Sequence, residues 1–211
     1  MALSKFKPAS FDLTDNYAFT GTTTGVTGTN QLVLIKTLTA SSSSNLTFVN
    51  GASSVVLDGT YKTYLFKFIN IHPQTDNTDF SVNFRDGGSN YDATKTTTFF
   101  FSFHDEADSE TALSYNGNTD VAQGTGVATL VKNMGNDNDQ NFSGEMWLFN
   151  PSSTTFVKHF QSNINNTERA NGSTQCFAAG YCNVTAAIDA VQFTSTSGNI
   201  DSGTIKLYGI L

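Results

Sequence analysis

The sequence predicts an all-β fold: an antiparallel β-sandwich of jelly-roll-like type, preceded by an N-terminal arm. Three observations carry this. Short apolar runs recur along the chain with polar, Gly-containing turns between them; no amphipathic helix of ordinary length competes; and 18 Phe supply bulk for an interior while only 3 Pro interrupt the strands. A length of 211 residues suits one such domain and is short for two. The chain therefore divides into an arm, residues 1–30, and a single sandwich domain, residues 31–211.

The arm holds Phe6, Phe11, Leu13, Tyr17 and Phe19, followed by a Gly/Thr stretch from Gly21 to Asn30 that lacks alternation. These are too many apolar groups for a solvated tail and too short a stretch to bury them alone. The reading is an anchor docked on a partner, with the alternative that the segment supplies the sandwich's own first strands. Strand signals then run over residues 32–38, 46–49, 55–57 and 61–71. Asn50-Gly51 and Asp58-Gly59 offer the positive φ angles of tight hairpin turns, which predicts a local meander of antiparallel neighbours. In DFSVNFR, Phe80, Val82 and Phe84 alternate with Ser81, Asn83 and Arg85, the pattern of a strand with one face in the core and the other in water.

Further runs cover residues 96–103, 127–131, 142–149, 155–164, 175–181, 186–193 and 204–210, and a helical pattern fits best at 106–113, for one or two turns. Phe66, Phe68, Phe80, Phe84, Trp147 and Phe149 are the expected interior residues.

Charged residues make up only 14%, and the net charge of −7 with 11 Lys and Arg opposes nucleic acid and anionic membrane surfaces as partners. The opening MALSKFKPASFDL lacks the apolar core of a secretion signal, and no run nears the roughly 20 apolar residues of a membrane span, so synthesis and folding in a cytoplasm are expected. There, Cys176 and Cys182 are expected as buried free thiols; a disulfide is the alternative and would need a tight reversal of the chain between them.

No catalytic, cofactor-binding or metal-ligating residue is assigned, and no enzyme is expected. Gly21 to Gly28 contains no Lys for a P-loop, and Gly124 and Gly126 open a dinucleotide fingerprint that fails at Thr129. His72, His104 and His159 occur singly, outside any zinc or nucleophile-elbow pattern. His104, Asp105, Glu106 and Asp108 form the densest ionisable cluster. Paired carboxylates act as acid and base across a cleft, whereas neighbours along a strand point to opposite faces and read as a solvated loop. The loop from Gly135 to Asn141, with Asn136, Asp137, Asn138, Asp139 and Gln140, offers oxygen ligands that suit calcium; its other reading is a self-hydrogen-bonded turn. Counted from Asp137, Phe142 stands where an EF-hand needs Gly, and Leu148 where it needs Glu. Asn-x-Ser/Thr triplets at Asn45, Asn141, Asn165, Asn171 and Asn183 are frequent enough to arise by chance in so Asn-rich a chain. Tyr91, Tyr115 and Trp147 are candidates to stack on sugar rings, with core packing the competing reading for Trp147.

Four segments, residues 10–25 (SFDLTDNYAFTGTTTG), 57–77 (LDGTYKTYLFKFINIHPQTDN), 150–160 (NPSSTTFVKHF) and 201–210 (DSGTIKLYGI), resemble tail-fibre-like and virion structural proteins of marine tailed bacteriophages. The likeness extends over nearly the whole chain and brings no catalytic motif. It implies a non-enzymatic virion component assembled in the host cytoplasm, either an exposed tail fibre or appendage that contacts the host surface or a capsid decoration. It also implies self-association, with a homotrimer expected, other virion proteins as partners, and a host-surface glycan as a further candidate. A carbohydrate-binding sandwich module is the alternative function.

Overall fold

A computed structural model describes residues 32–210. The arm reading, with Phe6, Phe11, Leu13, Tyr17 and Phe19, lies outside the described residues.

The alternating apolar runs form twelve antiparallel strands: β1 (Leu32–Thr39), β2 (Leu46–Val49), β3 (Thr63–Pro73), β4 (Thr78–Arg85), β5 (Lys95–Asp105), β6 (Thr111–Tyr115), β7 (Ala128–Met134), β8 (Phe142–Phe149), β9 (Lys158–Glu168), β10 (Gly172–Cys182), β11 (Ala190–Ser195) and β12 (Ile200–Ile210). Among the described residues the helical content is a single 3-10 turn at Gly117–Thr119, so no helix there is long and apolar enough to cross a membrane. Strand pairing builds two layers, β1-β12-β3-β8 and β2-β11-β4-β7, in the interleaved order of a jelly roll. The first layer continues past β8 through β9, β10, β5 and β6. A single bridge between Met134 and Glu168 ties β7 to β9, so the arrangement is nearly closed.

Phenylalanines hold the layers together. Phe66, Phe68 and Phe142 from the first layer meet Phe48, Phe80 and Phe193 from the second, all essentially without solvent contact. Phe193 alone lies with ring centroids 5.3 Å from both Phe66 and Phe68, 5.8 Å from Phe80 and 6.3 Å from Phe48. Most of these contacts are edge-to-face, the arrangement that the aromatic quadrupole favours.

This packing overrides the expected meander. β1 pairs with β12, β2 with β11, and β3 with β12 and β8. Phe48 must face Phe66 across the core at 5.3 Å, which puts β2 and β3 in opposite layers instead of side by side. Gly51 does take the positive φ of a turn, but residues 55–57 form no strand; Val55 and Leu57 drop into the core while Leu57 N donates to Asn50 Oδ1 at 2.9 Å.

Other corrections follow from register. Phe66, Phe68, Phe80 and Phe84 are buried as expected, but β8 turns Phe142, Met146 and Leu148 inward and leaves Trp147 and Phe149 half-buried on its outer side. The run Met146 to Phe149 is apolar on both faces, so alternation within it does not choose the phase; Ser143 and Glu145 on the outer side and the pairing of Leu148 with the core residue Phe160 do. On β4, Ser81 and Asn83 are buried too, and Asn83 Nδ2 donates to the Thr125 carbonyl in the loop before β7. Residues 106–113 form no helical turn. Asp105 accepts hydrogen bonds from Ser109 N and Glu110 N, each at 2.9 Å, and the chain reverses into β6. The strand expected over residues 155–164 begins at Lys158 and runs on to Glu168.

At Gly203 the backbone has φ +112°, and a Cβ would stand 2.5 Å from the Asn70 carbonyl, where β3 and β12 both bulge. Gly203→Ala should therefore cost more than about 1 kcal/mol. Phe193→Ala should lower the unfolding free energy by about 3–5 kcal/mol through the cavity it leaves. Phe156→Ala, at a side chain 70% exposed, should stay within about 0.5 kcal/mol. Urea unfolding followed by circular dichroism ranks the three.

Candidate functional site

The solvent side of the extended layer is a candidate binding surface. β9 alternates strictly, with Phe160, Ser162, Ile164 and Asn166 inward and Gln161, Asn163 and Asn165 outward. Its neighbours fall into the same phase, and two rows result. Across β8, β9, β10 and β5, Trp147, Gln161, Ala179 and Thr98 are register partners; one step along, Glu145, Asn163, Phe177 and Phe100 line up and continue to Tyr115 on β6.

Small side chains at Ala179 and Thr98 leave a trough between taller neighbours. It is an open groove of about 380 Å³ lined by Thr98, Phe100, Glu145, Trp147, Gln161 and Asn163, among others. Phe100 and Phe177 stack at 4.9 Å and 14° on one side. Trp147 stands on the other, its Nε1 donating to Glu145 Oε1 at 3.1 Å; Lys67 Nζ lies 3.6 Å from the second oxygen of that carboxylate. Gln175 Nε2 donates to Asn163 Oδ1, which orients that amide. Phe100 is 42% and Tyr115 62% exposed, so aromatic surface is open to a ligand.

Two of the sugar-stacking candidates, Trp147 and Tyr115, thus share one face. Tyr91 does not: it is half-buried, with the Arg85 guanidinium 5.9 Å over its ring, and Arg85 pairs with Asp189 at 2.7 Å.

The His104–Asp108 cluster is a loop closure. Asp105 binds the following turn through Ser109 and Glu110, which holds its carboxyl below the usual range, while His104 Nε2 reaches the exposed Asp108 at 3.1 Å. In the 135–141 loop the side-chain amides of Asn136, Gln140 and Asn141 are hydrogen-bonded. Gln140 is buried, accepts from Asp137 N at 3.2 Å and donates to Asn171 Oδ1 at 3.0 Å; His72 Nε2 donates to the Asp137 carbonyl. Among the described residues no group of three or more His, Cys, Asp or Glu is placed to hold a metal ion. The glycosylation-type Asn45, Asn165, Asn171 and Asn183 are exposed, and Asn141 is half-exposed.

Cys176 and Cys182 are free and buried. They lie on the same face of one strand, six residues and roughly 20 Å apart, which no disulfide spans.

One cluster gave no sequence signal. Lys95, Cys182 and Lys158 are register partners on β5, β10 and β9, and all three point inward and are buried. Lys95 Nζ donates to the carbonyls of Gly126 (2.8 Å) and Thr125 (3.4 Å), and Lys158 Nζ to those of Val184 (2.7 Å) and Phe156 (3.3 Å). Each lysine therefore closes loops over that end of the core. Burial lowers the pKa of both amines, and burial pushes the Cys182 thiol up to about 12 even beside them. Cys176 is likewise pushed up to about 12 by burial.

A folded-state pKa above the unfolded 9.0 means that each thiol stabilises the fold fully below pH 9 and loses that contribution as pH rises toward 12. The depressed lysines act in the opposite sense, their cost easing as pH approaches 10.5. Between pH 8 and 11 the wild-type chain should thus lose about 2 kcal/mol per thiol relative to a Cys176→Ala/Cys182→Ala variant, measured by urea unfolding at each pH under reducing conditions.

Comparison of the chain with protein-family models, with curated proteins and with solved structures gave no match.

Proposed function

We propose that this protein is a non-enzymatic structural component of a bacteriophage virion, an exposed tail-fibre or appendage part whose copies associate with one another and with neighbouring virion proteins. The likeness of the four segments quoted above supports the virion assignment. The observation that carries self-association is the outer face of β1 and β12, where an isolated sandwich would place polar groups. Leu32 is 47% and Leu34 52% exposed, and they are register partners of Ile210 and Tyr208, so four apolar side chains adjoin on the solvent side of an edge strand. Exposed apolar surface of this kind, along a strand edge that needs cover, suits a symmetric contact between copies. A trimer is the assembly we favour. On this reading the segment before the described residues is the anchor, and the jelly roll is the body that projects. Placement on the capsid as a decoration protein uses the same chemistry at another address.

Sedimentation of the full chain should give three times the monomer mass, and Leu32→Glu/Leu34→Lys should reduce it to the monomer with melting unchanged; a wild-type monomer would remove the interface. Immunogold labelling of particles should mark the tail, and label on the head would choose decoration instead. Deleting residues 2–20 should leave melting unchanged and abolish incorporation into particles; failure to fold would make that segment part of the core.

A further inference from the structure

We infer that the groove across β8, β9, β10 and β5 binds an uncharged oligosaccharide, seated on Trp147 and on the Phe177–Phe100–Tyr115 row with its hydroxyls toward Gln161, Asn163 and Thr98. This assignment deepens the host-contact element of the virion reading but stands on the groove's own side chains.

The ligand must be amphipathic. Trp147 on one side of the groove and the Phe177–Phe100 pair on the other offer apolar surface, less the two ring faces that the pair turns toward each other, and a pyranose ring presents a C–H face that covers such surface. Between the platforms stand two primary amides and a hydroxyl, which supply donors and acceptors together. Hydroxyl-rich ligands match that alternation; a purely apolar partner would leave the amides desolvated without partners.

The ligand is also uncharged. Of the lining residues Glu145 is the one ionic group, and both of its oxygens are engaged, by Lys67 at 3.6 Å and by the Trp147 indole at 3.1 Å. Among the described residues that line it there is no cation to receive a sialic acid or a sulfate, and the net charge of −7 disfavours anions at longer range.

Dimensions and topology narrow the class further. Trp147 on β8 and Phe177 on β10 are two strand spacings apart, roughly 10 Å, which is the reach of a disaccharide, and Phe100 and Tyr115 extend the platform by two more strands. An extended peptide would bind a sheet by pairing with a free edge. Here β9, β10 and β5 are each paired on both sides and β8 lies between β3 and β9, so the strands that floor the groove offer a peptide no free backbone; the free edge on this side is β6, beyond the groove.

Trp147 is the single tryptophan of the chain, so its emission reads the groove directly. The full chain is titrated with a panel of neutral hexasaccharides (β-glucan, xylan, mannan, galactan and chitin types), with sialyllactose and a heparin hexasaccharide as charged probes. At least one neutral probe should change the emission saturably, and Phe100→Ala and Gln161→Ala should each weaken it about tenfold with unchanged circular dichroism and melting. Phe156→Ala should leave binding unaltered. No response to any neutral probe, a response to the charged probes alone, or binding that survives both groove substitutions would overturn the assignment. Particle location is read by microscopy, so either proposal can fail without the other.

Discussion

The aromatic contact between the two layers is the constraint from which the rest of this molecule follows. Phe48, Phe80 and Phe193 reach it from β2, β4 and β11, and Phe66, Phe68 and Phe142 from β3 and β8. To bring those rings face to face, consecutive stretches such as β2 and β3 must alternate between layers. The pairings that result join residues far apart in sequence: Leu46 stands opposite Phe193, and Thr39 opposite Thr204. Loop closure must then precede most of the stabilisation, which makes a slow, cooperative folding reaction the natural expectation.

The dry interior extends beneath the groove as well. β9 and β10 lie outside the four-on-four jelly roll, yet their inner faces are as dry as its centre: Phe160 packs 4.9 Å from Phe84, and Ile164, Cys176 and Cys182 are fully buried. The two inward lysines extend this cover to the loops, since each buried amine finds its partners in two loop carbonyls. Their neighbour Cys182 is a small, un-ionised filler between them. A groove floor laid on such a base keeps its side chains in place without a ligand, which is what low-cost recognition by stacking needs.

Alternation and turn chemistry made much of this fold legible. The strand class, the buried set Phe66, Phe68, Phe80 and Phe84, and the free buried thiols are all readable residue by residue. What stayed hidden depends on long-range register. Met146 to Phe149 is apolar in both phases, so Trp147 looks like core until Phe160 is placed opposite Leu148. At Asn50-Gly51 only Gly51 takes a positive φ, and the choice of partner strand belongs to Phe48. Lys95 and Lys158 read as solvent-facing because a lysine on a strand ordinarily is, and only the loops folded over them reverse that. The groove was half visible: Tyr115 and Trp147 are identifiable as aromatics, whereas Gln161 and Asn163 are unremarkable until β9 sets them between.

The outer face of the long layer carries two kinds of surface on one continuous sheet. Toward β1 it is apolar without amides, Leu32 and Leu34 beside Ile210 and Tyr208; from β8 onward it is aromatic with amides between. Leu65 and Lys67 on β3 lie at the boundary, Leu65 buried between Tyr208 and Trp147, and Lys67 reaching over to Glu145. The difference is chemical. A patch whose one hydrogen-bonding side chain is Tyr208 is stabilised by a partner that excludes water over most of its area, whereas an aromatic groove with donors and acceptors keeps part of its hydration and suits a ligand that is itself half polar. Lys67 offsets the Glu145 carboxylate at the junction, and Lys206, its register partner on β12, adds a cation to the same face on the β1 side. Copies that associate through the β1 edge would therefore leave the grooves beyond β8 open, several to each assembly, and weak individual contacts would then act together through their shared attachment.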